Sequence, residues 1–318
     1  MIAVVVPSPV ALAEGEWRAR AAAHRERIDV WVAPHLARRR RGQAHPVLDF
    51  LFTYYTEPPG RLRRWHPGAG VALAGPGARE RLAWPHHGEV AAVDADGRTV
   101  PAVGIDVPAF LARRRETVVR IADLLGATAG RPAHFGCFGL HEWAMVYRPE
   151  RGEVRHDLPL RLGQAGTDAV VDAHRVRCSH HDAYRFFSRR ATPLNALRPT
   201  RQSQRDLEQP GCLHAGMDLF KWAGKLAPAV PGELLADCLD LAGEIRVLDM
   251  RASPYDLADL GHPPVRIETP QGKAEYVAAQ RRFSERAAAL RARLLAVCTL
   301  LLDADVAWSP SRRRTVGR

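Results

Sequence analysis

The sequence predicts a mainly α-helical protein: a single compact helical domain with a small β-hairpin insertion. Apolar residues recur at helical spacing near both ends of the chain, and an Asp96-Gly97 turn separates two β-tolerant runs. No internal repeat, heptad series or clear linker divides the sequence. We therefore expect one domain over residues 1–308, with the β insertion at about 70–105 and an unstructured basic tail at 309–318.

Helices in the first half are predicted from apolar spacing and end signals. Residues 14–32 suit an amphipathic helix that stops near Pro34. The aromatic-rich segment 47–55 is apolar on all sides, which is typical of a buried helix. Asp106 can cap a further helix over residues 106–125.

The second half combines an irregular centre with three helices. Residues 131–209 are rich in histidine and aromatic residues and show no long period. Helices are expected at 215–226 and 231–250, and the longest at 270–303. This last helix places an apolar stripe opposite a row of arginines.

The charge balance favours an anionic partner. The 318 residues include 46 basic and 35 acidic side chains, giving a formal net charge of +11. Nucleic acid or a phosphorylated metabolite fits such a chain, and a merely soluble basic protein is the alternative. No apolar run approaches the roughly 20 residues of a membrane span, so no membrane partner is expected. Five cysteines in so long a chain do not make a disulfide framework, which favours a cytoplasmic setting.

Several widespread motifs are missing from the sequence. It has no GxxxxGK[ST] or strand-led GxGxxG for phosphates, no GxSxG, no HExxH and no paired CxxC. The chemistry is therefore sought in three central segments.

The first segment, residues 134–148, contains a carboxylate beside aromatic rings. Glu142 precedes Trp143 and lies close to Tyr147. Aromatic surroundings can raise the pKa of a carboxyl group, or the pair can hold a cation. Glu142 is a catalytic candidate and Trp143 a stacking candidate; the alternative is a packed element in which Glu142 pairs with an arginine.

The second segment, residues 175–187, contains adjacent histidines and three aromatic residues. His180 and His181 are candidates for acid–base groups, phosphate ligands or metal ligands. Tyr184 is a candidate for stacking a base. The alternative is a core helix with polar caps.

The third segment, residues 198–222, combines arginines with a carboxylate. Arg198, Arg201 and Arg205 make a candidate phosphate track. Asp218 and Trp222 share a helix face at i,i+4, which makes Asp218 a candidate general base and Trp222 a stacking residue. Alternatively, Asp218 bonds only backbone groups of the glycine-rich turn.

A metal site is the other hypothesis for these segments. Three Cys/His pairs have chelating spacing: Cys137 and His141, Cys178 and His180, and Cys212 and His214. Three pairs overfill a tetrahedral zinc site, and free cysteine is also a small buried hydrophobe. We therefore assign no metal ligand and no cofactor.

The central segments resemble a bacterial family carried under the name 3-methyladenine DNA glycosylase. The resemblance spans most of residues 14–300. It is carried by residues 45–55 (HPVLDFLFTYY), 61–68 (RLRRWHPG), 141–148 (HEWAMVYR), 177–187 (RCSHHDAYRFF) and 209–222 (QPGCLHAGMDLFKW). The helix-hairpin-helix pattern and the HEAT-like repeats of well-known glycosylases are missing, so no catalytic residue is carried over.

The resemblance implies a DNA repair hydrolase that cleaves the N-glycosidic bond of alkylated purines in duplex DNA. Such an enzyme needs a carboxylate, rings that hold an extruded base and arginines on the phosphates. From the residues we expect Asp218, Glu142 or His181 to act in catalysis. Two alternatives stay open: a hydrolase or transferase of a phosphorylated small molecule, and a non-enzymatic nucleic-acid-binding protein.

Overall fold

A computed structural model describes residues 8–150 and 158–308 of the chain. The described part is mainly α-helical, as predicted. The predicted basic tail at 309–318 lies outside the described residues. Among those residues, no helix combines the length and apolarity that a membrane crossing requires.

The β region is a closed four-stranded barrel rather than a simple hairpin. The predicted hairpin is present as β3 (His87–Val93) and β4 (Thr99–Ile105), paired antiparallel around the Asp96-Gly97 turn. Two further strands close the sheet in the order β1-β2-β4-β3: β1 (Val10–Leu12) and β2 (Val71–Leu73). β1 pairs parallel with β2 in a register that joins Val10 to Val71. Strands of three residues carry too little alternation to be predicted from sequence.

The first long helix, α1 (Glu14–Arg40), does not stop at Pro34 as predicted but runs through it. A proline inside a helix removes one hydrogen bond and costs about 3 kcal/mol. Packing offsets this cost because Val32 and His35 are buried on either side of the proline. The three arginines of the last turn also interact favourably with the helix dipole.

Asp49 fastens the end of α1 to the next helix, α2 (Phe50–Tyr54). Its carboxylate contacts His35 Nδ1 at 2.9 Å and accepts from the backbone N–H of His45 at 2.8 Å. It also pairs with Arg38. Burial alone would raise the pKa of Asp49, but these partners lower it to about 2. The predicted helix at 47–55 is therefore only five residues long, because this network holds the preceding backbone in turns.

The helices of the second half and α4 (Val107–Ala129) form the main core. α4 is capped as predicted, since the Asp106 side chain accepts from the Ala109 N–H. α9 (Leu213–Leu226), α10 (Gly232–Arg251) and α11 (Pro270–Trp308) follow the predicted positions. α9 packs against α10, and α11 lies against α4, α9 and α10.

Short helices interrupt the predicted irregular centre. They are α5 (Leu140–Met145), α6 (Gly163–Asp172), α7 (His181–Tyr184) and α8 (Gln204–Leu207). A further short helix, α3 (Pro59–Leu62), lies in the first half of the chain. α5 and α7 carry the first two predicted segments, and the third runs into α9. Irregular backbone at 131–137 and 177–179 lines one cavity, whereas a second cavity is lined mainly by residues of helices α4, α7, α8 and α9.

Candidate functional site

All three predicted segments meet at one cavity, which we call the thiol–imidazole cavity. Its volume is about 270 Å³. Each segment contributes a cysteine to its wall, and two contribute a histidine; these residues are Cys137, His141, Cys178, Cys212 and His214. The three thiols are free. Burial raises the pKa values of Cys178 and Cys212, so both are protonated at neutral pH.

Buried amide side chains hold the cavity wall in place. Asn195 accepts from the Cys178 N–H at 2.7 Å and donates to the Cys178 carbonyl at 2.9 Å. Gln209 accepts from the Gly211 N–H at 2.7 Å, and Gln280 donates to the Gly211 carbonyl at 2.6 Å. Both sides of the wall therefore have satisfied backbone groups and a fixed shape.

A buried ion pair forms the floor of the cavity. His141 Nε2 lies 2.9 Å from Asp249 Oδ1 and 3.2 Å from Oδ2, and His141 Nδ1 is 3.5 Å from Cys137 Sγ. Burial would lower the pKa of His141, but the charge of Asp249 raises it well above its ordinary value. Next to this pair, Arg246 Nη1 lies 3.1 Å from Glu142 Oε1 and 3.8 Å from Asp249 Oδ2.

His214, which also lines the cavity, differs from His141 in its charge. Its ring meets that of His141 edge-on with centroids 4.5 Å apart and stacks on that of His180 at 5.3 Å. Burial, followed by the charge of His141, lowers the pKa of His214 to about 3, so its imidazole is neutral. Among the described residues, neither of its ring nitrogens has a hydrogen-bond partner.

Ionisable groups lead from His214 through the core to the opposite side. His180 Nε2 lies 3.5 Å from Asp218 Oδ2, and Asp218 Oδ2 lies 3.3 Å from Lys221 Nζ. Lys221 Nζ is in turn 3.1 Å from Asp182 Oδ2. Burial would raise the pKa of Asp218, but His180 and Lys221 lower it to about 2. His180 and Asp218 are both almost fully buried, so this chain of charges is shielded from solvent.

The chain of ionisable groups ends at a second cavity, which we call the basic cleft. Its volume is about 520 Å³. Its cationic side chains come from four parts of the chain, and they are Arg120, Arg185, Arg201, Arg205, Lys221 and Lys225. The carboxylates in its wall are Asp123 and Asp182.

Half of these cations have no carboxylate partner. Arg120, Arg201 and Lys225 make no ion pair within the described part of the chain. Burial, followed by the charges of Lys221 and Arg120, lowers the pKa of Lys225. Like charges held this close favour a bound anion.

Two predicted catalytic carboxylates are buried and do not line the basic cleft. Asp218 is 1% exposed and does not line the basic cleft, although it contacts Lys221, which does. Glu142 is 4% exposed and paired with Arg246, the alternative that the sequence left open. By contrast, His181 lines the cleft, and its Nδ1 lies 3.6 Å from Asp182 Oδ1.

The predicted phosphate track is divided by the structure. Arg201 lines the cleft, and Arg205 lines it while pairing with Asp123 at 2.6 Å. Arg198 folds back instead and donates to the backbone carbonyls of its own loop, including that of Pro193 at 3.1 Å. Its guanidinium closes that loop, and its role as a phosphate ligand stays a prediction.

The predicted stacking residues have little open ring surface. Trp143 is fully buried and donates its indole N–H to the Ala252 carbonyl at 2.8 Å, so it is a core residue. Tyr184 is half-buried against Phe187, with ring centroids 5.2 Å apart. Trp222 lines the cleft but is only 6% exposed, and Lys221 Nζ lies over its ring at 4.8 Å.

Sequence reasoning missed three kinds of site residue. Asp249 lies near the C-terminal end of α10 and meets His141 only through the fold. Arg120 and Lys225 reach the cleft from two separate helices. Asp182 directly follows His181 in the sequence, and this adjacency to a candidate acid–base residue is the signal that could have identified it.

Family models, curated proteins and solved structures were compared with this chain, and none of them matches it. The resemblance to the glycosylase family therefore rests on the five sequence segments alone.

The geometry supports two kinds of chemistry. The basic cleft can bind a phosphate and place it beside a neutral imidazole and an ionised carboxylate, which is a setting for hydrolysis. The thiol–imidazole cavity presents two imidazoles and a carboxylate, which are metal-ligating groups. Their link through His180 and Asp218 makes the two cavities one electrostatic unit.

Proposed function

We propose that the chain hydrolyses the N-glycosidic bond of a damaged nucleotide in DNA, and that the basic cleft is the active site. The observation that carries this proposal is the presence around His181 and Asp182 of three cations, Arg120, Arg201 and Lys225, that form no ion pair with any described residue. The resemblance of the central segments to a glycosylase family supplies the reaction class.

Phosphate binding is the first step of the proposal. Unpaired cations gain most from an anion, since no existing ion pair has to be broken. Each lost phosphate contact reduces the salt slope of DNA binding by about one unit. We expect Arg201→Gln to weaken DNA binding and flatten this slope. The matched control is Arg282→Gln, an exposed arginine of α11 that lies outside the cleft.

His181 and Asp182 carry the chemical step. Burial lowers the pKa of His181, which leaves its imidazole neutral and able to accept a proton at pH 7. Burial would raise the pKa of Asp182, but Lys221 lowers it, so Asp182 is ionised. His181 takes a proton from water as its oxygen attacks the sugar C1′, and the electron pair of the glycosidic bond leaves with the base. Asp182 stabilises the positive charge on the sugar.

Asp218 acts as a positioning residue in this scheme. It touches no cleft surface but holds Lys221, whose ammonium also contacts Asp182. A cationic alkylated purine already has a weakened glycosidic bond, so no acid is needed at the leaving base.

The test is release of free base from methylated duplex DNA. Loss of a general base lowers turnover by roughly 10²–10⁴-fold, so we expect a fall in that range for His181→Gln, with DNA binding retained. Asp182→Asn should also be slow. Asp303→Asn, an exposed change on α11, is the control. If the wild type releases base and His181→Gln does so at the same rate, the assignment of the cleft is wrong.

One observation favours a second function, hydrolysis of a phosphorylated small molecule. Because Arg198 is folded back, the arginines of the predicted track that remain, Arg201 and Arg205, both lie in one cleft instead of extending along a track. Such a cleft also suits the phosphate of a single nucleotide. Cleavage of nucleoside monophosphates without release of base from any alkylated DNA would select this function over the first.

A further inference from the structure

A second site is formed by three residues that come from three different helices. His141 of α5, His214 of α9 and Asp249 of α10 each offer a ligand atom, and these atoms all lie within 4.8 Å of one another. The residues are separated by more than 30 positions in sequence. Only the packing of α5, α9 and α10 brings them together.

The imidazole of His214 has no hydrogen-bond partner among the described residues, and it lines the cavity. Its ring meets that of His141, which is paired with Asp249, edge-on with centroids 4.5 Å apart. An imidazole nitrogen that no protein group uses can bind a cation, because imidazole is the commonest side-chain metal ligand.

The surroundings match those of a metal-binding histidine. The second ring nitrogen of His141, Nδ1, lies 3.5 Å from Cys137 Sγ. Metal-ligating histidines use their other nitrogen for such a contact, which fixes the ring. Arg246 lies 3.8 Å from Asp249 and holds the carboxylate from behind.

The site is also accessible. His141 and His214 line the thiol–imidazole cavity, whose volume of about 270 Å³ leaves room for water or a small substrate beside the cation. Three protein ligands and open positions are typical of catalytic rather than structural metal sites.

We propose that His141, His214 and Asp249 bind one divalent first-row transition metal ion, with open coordination positions facing the cavity. The ion takes the place of the proton between His141 Nε2 and Asp249, and this proton is released to solvent. Two imidazoles and one carboxylate suit zinc and iron(II), whereas magnesium and calcium prefer sites made of oxygen ligands. The three cysteines of the cavity wall lie outside the ligand set. The proposed metal site does not depend on the proposed function, because it lies at the other cavity and its tests measure metal binding rather than enzyme activity.

The first measurement is metal content. The full chain is purified without a metal-affinity step, treated with a chelator, and offered Zn²⁺, Fe²⁺ (without oxygen) or Mg²⁺ before desalting and elemental analysis. We expect about one zinc or iron ion per chain and no retained magnesium. Retention of neither zinc nor iron by the wild type would overturn the proposal.

Variants then test the ligands. His214→Gln removes a side chain without hydrogen bonds, so it should fold, and Asp249→Asn keeps the shape of the carboxylate. Both are expected to lose the metal and the rise in melting temperature that the metal gives to the wild type. His262→Gln is the control, a half-buried histidine that does not line the cavity. Full metal retention by the folded His214→Gln protein would overturn the proposal.

Cobalt(II) distinguishes the proposed ligands from the neighbouring thiols. A Co²⁺-loaded protein should show visible bands of nitrogen and oxygen ligation without a thiolate-to-cobalt charge-transfer band. A strong charge-transfer band that disappears in Cys137→Ser would show thiolate ligation, and the proposed ligand set would then be wrong.

Discussion

Replacing Arg246 should destabilise the protein far more than replacing Glu142, although the two form one pair. Arg246 Nη1 lies 3.1 Å from Glu142 Oε1, and both side chains are at most 5% exposed. Arg246 also lies 3.8 Å from Asp249 and has its guanidinium over the Phe50 ring at 4.1 Å. Arg246→Met therefore removes the cation shared by two buried carboxylates. Glu142→Gln leaves an amide oxygen that can still accept the same hydrogen bond.

The magnitudes follow from this asymmetry. Breaking a buried pair by removing one partner costs about 3–5 kcal/mol, which we expect for Arg246→Met. Losing the charge but keeping a hydrogen bond costs about 1–2 kcal/mol, which we expect for Glu142→Gln. In a chain of this size, each kcal/mol lowers the melting temperature by roughly 2–4 °C. Arg246→Met should therefore melt roughly 6–20 °C below the wild type.

The assay is thermal unfolding followed by circular dichroism, repeated with urea to obtain free energies. The double variant Glu142→Leu/Arg246→Met separates charge from packing, since an apolar pair of similar volume removes the uncompensated carboxylate. It should be more stable than Arg246→Met alone. Equal melting temperatures for Arg246→Met and the wild type would refute the reasoning, and so would a Glu142→Gln protein less stable than Arg246→Met.

Three further predictions concern stability and the cavity wall. Its hydrogen-bond and ion-pair partners outweigh the effect of burial and hold the pKa of Asp49 at about 2 against an ordinary 3.8. Asp49 therefore contributes about 2 kcal/mol of stability above pH 3.8 that is lost as the pH falls toward 2; urea titrations should show a shallower acid loss for Asp49→Asn. Gly243→Ala places a methyl group on the Trp31 ring and should cost about 1–3 kcal/mol despite the better helix propensity of alanine; a higher melting temperature would contradict this. Asn195→Ala leaves buried backbone groups unpaired, which should lower the free energy of unfolding by about 1–3 kcal/mol and speed amide exchange at Cys178. Unchanged exchange would show that other contacts hold the loop in place.

The long helices could be predicted because their signals are local. The cap at Asp106 and the apolar stripe of α11, with Ala287 and Leu294 buried and Arg286 and Arg293 exposed, lie within a few residues of one another. Such patterns act through neighbouring turns and do not depend on the rest of the fold.

The barrel and the helix through Pro34 could not be predicted in the same way. β1 is stabilised by pairing with β2, which lies 61 positions further along the chain. The helix continues past Pro34 because residues on both sides pack into the core. In each case a tertiary contact outweighs the local preference.

The candidate site shows the same division. The shared enrichment of the three segments in histidine, aromatic and arginine residues predicts that they converge on one pocket, and the fold brings parts of all three to one cavity. The roles of individual residues depended on partners far away in sequence. Arg198 was predicted to bind phosphate but satisfies carbonyls of its loop, whereas Arg120 reaches the cleft from another helix. Composition indicates which segments form the site, whereas the contacts of each residue depend on how the fold packs.

Burying charged groups between the two cavities costs free energy, so a contribution to stability does not explain why these groups are there. His180, Asp218 and Glu208 are each about 1% exposed, and neither ring nitrogen of His180 has a hydrogen bond with well-formed geometry within the described residues. Replacing such groups by apolar residues of similar volume often leaves a protein equally or more stable. The same groups fix the charge state on both sides, since Asp218 holds Lys221 at the basic cleft and His180 stacks on His214 at the thiol–imidazole cavity. The charge of a cation bound at His214 would therefore act through His180 and Asp218 on Lys221, the lysine that contacts Asp182. Loading the metal site should change phosphate affinity at the cleft, and by linkage phosphate should change metal affinity by the same factor.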